Sequence, residues 1–146
     1  MAPSENLARK RIRNRLMEVL ELISEYDIGA ILDINELVNL WDDWTPDPFV
    51  RERFPEPIFT LAEQDELLKV DQAIETFCRA TPQTVCDERS AIAAPEWRDL
   101  VGVSKAAVSV FAARGRLSED EEKFRCLTRR HDCRRRCRGI LRCREC

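Results

Sequence analysis

The chain has 146 residues, of which 44% are hydrophobic and 35% charged, with a formal net charge of −3 and only four glycines. That length is enough for one domain with a hydrophobic core. No window approaches the ~18 consecutive apolar residues that a membrane helix needs. The N-terminus begins Met-Ala-Pro-Ser-Glu and then turns basic and amphipathic, without the apolar core of a signal peptide. The expectation is therefore a cytoplasmic chain that does not enter a membrane.

The net charge hides a strong asymmetry. Residues 1–17 carry five basic and one acidic residue, and residues 18–75 carry sixteen acidic and three basic. Residues 76–124 carry seven basic and eight acidic, whereas residues 125–146 hold nine Arg against two acids. Scarce glycine and little β-branched alternation predict an all-α fold. The expected architecture is a compact bundle of about five helices over residues 5–124, with a long Pro-rich loop. A helical domain over 1–124 is followed by an Arg/Cys-rich tail over 125–146, expected to be disordered or loosely helical.

Residues 4–26 read as a first amphipathic helix. Ser4 is the N-cap, and Ile12, Leu16, Val19, Leu20 and Ile23 form one apolar stripe. Arg9, Lys10, Arg11, Arg13 and Arg15 are assigned to the other faces. Asp27-Ile28-Gly29 breaks the chain. Asp33 and Glu36 then have the spacing of a capping box, opening a helix that runs to about Trp44. Its apolar face comprises Ile34, Leu37, Val38, Leu40 and Trp41, with Ile28, Ile31 and Leu32 extending it backwards.

Four prolines between Thr45 and Phe59 exclude helix and central strand there, because each removes a backbone donor and fixes φ. Phe49, Phe54, Ile58 and Phe59 are expected to pin this loop to the core. Thr60-Leu-Ala-Glu63 is a second capping box, opening a helix to about Ala80 with Leu67, Val70, Ile74, Phe77 and Cys78 on its inner face. A shorter helix is predicted within 82–93, where Cys86, like Cys78, reads as a buried small hydrophobe. Pro95 starts the densest apolar stretch, with a possible restart at Ser104 and a stop at Gly115. Trp97, Leu100, Val101, Val103, Val108 and Phe111 are its core candidates. Ser118 to Glu122 reads as the cap and acidic first turn of a last short helix.

Two stretches suggest function. Trp41-Asp42-Asp43-Trp44 with Asp47 sets two tryptophans among three carboxylates at a helix end. Tryptophan is enriched at binding hot spots, and clustered carboxylates attract and steer cationic partners. The alternative for the tryptophans is ordinary core. In size, charge and helicity the chain is similar to small acidic bacterial immunity proteins. That resemblance implies a non-enzymatic inhibitor of a basic partner protein such as a toxin; the clustered residues themselves make Trp41, Asp42, Asp43, Trp44 and Asp47 the expected binding face.

The second stretch, Gly102-Val103-Ser104-Lys105-Ala106-Ala107-Val108-Ser109, resembles the turn and recognition helix of repressor-like helix-turn-helix proteins, and the likeness continues to Leu117. The resemblance implies a DNA-binding regulator in which Ser104, Lys105 and Ser109 face the major groove and Arg114 and Arg116 lie near phosphates. A core helix bent at a glycine is the alternative reading.

Enzyme chemistry is not expected. The single histidine, His131, lies in the tail, so no Ser-His-Asp or Cys-His set is available in residues 1–124, and no phosphate-cradling glycine loop occurs. No cofactor is expected. Cys126, His131, Cys133, Cys137, Cys143 and Cys146 form a weak alternative zinc set, since only Cys143-x-x-Cys146 has the familiar spacing. Seven cysteines in a cytoplasmic chain speak against a disulfide framework. Abrupt Arg and Cys enrichment is also what an out-of-frame stretch of a GC-rich gene produces.

Overall fold

The computed structural model describes residues 4–81 and 85–119. The tail over 125–146, with its zinc-ligand candidates, and residues 120–124 of the expected last helix lie outside the described residues.

Five helices follow one another: α1 (Glu5–Ser24), α2 (Ile34–Trp44), α3 (Leu61–Ala80), α4 (Glu88–Ala93) and α5 (Pro95–Ala112). A short 3₁₀ turn over Arg51–Arg53 sits in the proline loop. No strand occurs among the described residues. The all-α bundle inferred from periodicity is what forms.

The local signals act as their chemistry requires. The Ser4 hydroxyl accepts from the Leu7 amide. Asp33 with Glu36, and Thr60 with Glu63, each make both hydrogen bonds of a capping box, satisfying amides that a helix start leaves without partners. Asp87 caps α4, and Pro95 occupies the first turn of α5.

The core is α5 laid against α3 and α1, with α2 on α1 and α4 on α5. Leu16, Leu20, Leu37, Leu67, Val70 and Leu100 are at most 1% exposed, and each such burial stabilises by about 1.5–3 kcal/mol. The proline loop is pinned by aromatics, as expected. Phe54 and Phe59 are buried, and rings run in a chain from Phe49 through Phe54 and Phe59 to Phe111.

Four expectations fail locally. Arg13 does not lie on an outer face: it is 0% exposed. Ile28 and Ile31 do not extend the α2 face; they sit in the α1–α2 connection, exposed, because the chain reverses there before Asp33 caps α2. Cys78 and Cys86 are exposed rather than core. Helix α5 passes through Gly102 and Ser104 without interruption, because an isolated glycine lowers helix propensity by only about 1 kcal/mol and the apolar stripe on both sides of it is buried.

Candidate functional site

A groove of about 400 Å³ opens between the C-terminal end of α2, the start of the proline loop and the second half of α3. Its acidic wall comprises Asp42, Asp47, Asp71 and Glu75, and Val38, Thr45, Ile74 and Cys78 complete the lining. Helix α2 delivers Asp42 because Trp41, one position earlier, is driven fully into the core. Thr45 ends α2 by donating its amide and its hydroxyl to the Trp41 carbonyl, and the chain then turns Asp47 back towards the groove. On α3, Asp71 and Glu75 are one turn apart.

The buried Trp41 indole N–H donates to Asp71 Oδ1 at 2.9 Å, tying the floor of α2 to the α3 carboxylate. Burial, then the Asp71, Asp47 and Asp43 charges, push the Asp42 carboxyl above its ordinary value. Burial also raises Asp71, with Asp47 and Glu75 adding to the shift against the opposing Trp41 hydrogen bond. The Cys78 thiol is likewise pushed up, by burial and then by Asp42, which disfavours the reactive thiolate.

Many carboxylates elsewhere are balanced by a nearby cation. In α1, Arg9 pairs with Glu5, Arg11 with Glu119, Arg13 with Glu63 and Arg15 with Glu18. Elsewhere Arg51 pairs with Asp65, Lys69 with Glu66 and Arg116 with Glu21. Glu75 pairs with Arg79 on an exposed helix face. Asp42, Asp43, Asp47 and Asp71 make no ion pair with any described residue. The negative surplus of residues 18–75 is thus partly neutralised by paired cations, and the end of α2 is one of the places where carboxylates keep no countercharge among the described residues.

The predicted binding face is only partly assembled. Asp42 and Asp47 line the groove as exposed residues at its mouth, Asp43 is exposed beside it, and Trp44 is half-buried against the core. Trp41 offers no contact surface, being 0% exposed. Asp71 and Glu75 were missed. The signal for Asp71 was its position inside the Leu67–Val70–Ile74 stripe, where a carboxylate must find either a partner or a cleft.

The helix-turn-helix geometry is absent, since residues 102–112 belong to one continuous helix. Ser104 is fully buried, with no hydrogen-bond partner for its hydroxyl among the described residues. Lys105 and Ser109 are exposed, and the Ser109 hydroxyl donates to the Lys105 carbonyl. Arg114 and Arg116 are exposed, but their guanidinium groups are engaged by the bundle's own carboxylates. Arg114 donates to both oxygens of Glu63 at 3.2 and 2.7 Å, and Arg116 to Glu21 at 2.8 Å.

Sequence reasoning also missed a buried Arg–Glu–Arg cluster. Arg13 Nε and Nη2 donate to Glu63 Oε2 and Oε1 at 3.2 and 2.7 Å. Arg13 further reaches the Phe111 and Gly115 carbonyls at 3.2 and 2.6 Å, with its guanidinium 5.0 Å from the Phe111 ring centre. Burial would raise the Glu63 carboxyl, but hydrogen bonds from Arg13, Arg114 and Thr60 prevail and hold it below the ordinary carboxylate range. With every charge paired and capped, this cluster is built for structure.

Among the described residues no group of three or more His, Cys, Asp or Glu is arranged to hold a metal ion, and no helix is long and apolar enough to cross a membrane. No known protein family, curated protein or solved structure matches the chain.

Proposed function

We propose that the protein is a non-enzymatic acidic binding protein whose α2–α3 groove receives a cationic side chain of a partner protein, in the manner of an immunity- or antitoxin-like inhibitor of a basic toxin. The observation that supports this reading is the set Asp42, Asp47 and Asp71, held together in a cleft without a cation from the described residues. Like charges forced together in a partly desolvated cleft raise the energy of the unbound protein. A guanidinium or ammonium entering the cleft relieves that repulsion, and each charge-assisted hydrogen bond it forms contributes about 1.5–3 kcal/mol. The exposed Asp43 adds long-range attraction that speeds encounter at low salt.

The test is capture of partners from an extract of the native host by the immobilised protein, comparing it with Asp42→Asn and Asp71→Asn variants. Because both folded-state carboxyls are raised, their charge opposes folding at neutral pH and that opposition fades as the pH falls through the raised values. The variants are therefore expected to fold at least as stably as the parent protein. Recovery of a basic protein should fall by roughly tenfold or more per substitution. Equal recovery by the folded variants would remove the groove from consideration.

A further inference from the structure

Residues 113–119, which follow α5 and lead to residues 120–146, are attached to the bundle in an unusual way. None of them is buried, and only Leu117 among them packs an apolar side chain against the core. Their attachment is polar: Arg114 donates to Glu63 and to the Pro57 and Ile58 carbonyls, and from Gly115 onward the contacts come from α1, about a hundred positions earlier. The Asn14 side chain makes a reciprocal pair with the Leu117 backbone: Nδ2 donates to the Leu117 carbonyl and the Leu117 amide donates to Oδ1, both at 2.9 Å. Asn14 Nδ2 also reaches Glu119 Oε1 at 3.0 Å. Arg116 returns from the segment to the Asn14 carbonyl at 3.2 Å and to Glu21 at 2.8 Å. Arg13 holds the Gly115 carbonyl, and Gly115 turns the chain with φ +65°.

We infer that residues 115–119, beyond the Arg114 anchor, form a latched strap, which detaches from the bundle as a unit while the apolar core stays closed, with Asn14 as its main fastener. The bundle is held by apolar burial spread over many residues, whereas the strap beyond Arg114 depends on a few polar contacts from α1 that centre on Asn14. Segments with little apolar contact open at far lower free energy than the core they cover. Buried polar pairing also fixes one arrangement more sharply than it stabilises it, and that is the behaviour a latch requires. Release frees the Gly115 carbonyl from Arg13 and the Arg116 guanidinium from Glu21. The amide side chain of Asn14 sets the register of the closed state, because it alone satisfies both backbone groups of Leu117.

Hydrogen exchange of the full chain, read by mass spectrometry or NMR, tests this. In Asn14→Ala the Leu117 amide and its neighbours in 115–119 should exchange at least about tenfold faster, as loss of two or three hydrogen bonds requires. Amides of Leu100–Ala107 in α5 should change by less than about twofold, since distant protection depends on the global stability alone. Arg116→Ala, at an exposed position, should loosen the same segment to a smaller extent and with the core equally unmoved. The inference is overturned if both variants leave the strap's exchange unchanged. It is equally overturned if strap and α5 amides accelerate together in both, because the strap would then open only with the whole bundle.

Discussion

Neutralising Glu63 should weaken the fold far more than the change of one atom suggests. The residue is 1% exposed and carries two arginines, one of them 0% exposed. Glu63→Gln preserves the side-chain volume and can keep the capping contact with Thr60. What it removes is the countercharge for Arg13, and breaking one partner out of a buried ion pair costs about 3–5 kcal/mol. For a bundle of this size that corresponds to a fall of roughly 10–20 °C in Tm. Arg13→Met keeps an apolar stem in place but deprives Glu63, Phe111 and Gly115 of donors. It should cost a similar amount, less whatever Arg114 restores to Glu63. In the double variant the two losses overlap, so the cycle should close with a coupling energy on the order of 2 kcal/mol. Urea or thermal unfolding of the four proteins provides the measurement. Because the folded-state Glu63 carboxyl is depressed, its contribution is complete above the ordinary carboxylate value and is lost as the pH falls through the folded value. The gap between parent and Glu63→Gln should therefore narrow in acid. Additivity within about 0.5 kcal/mol, or a Glu63→Gln cost below about 1 kcal/mol, would refute the assignment of this cluster as the tie between α1, α3 and the end of α5.

Two further outcomes follow from the geometry. A Cβ added at Gly102 would meet nothing within 4 Å, and the residue lies inside α5, so Gly102→Ala should stabilise the fold by about 0.5–1 kcal/mol. Destabilisation in the same unfolding assay would restore a turn at this position. Tyr26 is the only tyrosine, and burial followed by a hydrogen bond to Glu88 pushes its phenol up to about 12. Absorbance titration near 295 nm should place its ionisation close to that value, with stability declining as the pH rises above the unfolded tyrosine value of about 10. A midpoint near 10 would mean that the Tyr26 ring, which meets Trp97 edge-on with centroids 5.3 Å apart, is solvated.

Much of the fold was legible because its causes are local. The Asp33–Glu36 and Thr60–Glu63 boxes lie three residues apart, and the α1 and α3 stripes repeat every three or four, so a helix start and its buried side can be read within a single window. The proline loop was legible for the same reason: each proline acts on its own φ and its own missing amide. The acidic end of α2 was visible as composition, which is why Asp42 and Asp47 were found.

The α2–α3 groove and the charge cluster required the folded chain. Asp71 reaches the α2 end across thirty positions, Glu63 reaches Arg13 across fifty, and Leu117 reaches Asn14 across a hundred and three. No periodicity carries that information. The sequence did contain a warning, since Arg13, Glu63 and Asp71 each occupy a slot in an otherwise apolar stripe. Helix geometry alone requires such a charge to be paired or to border a cleft. Helical phase dictates which side of a helix turns inward, through interactions spanning one turn. Which charges meet there, and which remain without a countercharge, is decided by the packing of helices remote in sequence, where Coulomb energy and desolvation depend on three-dimensional separation alone.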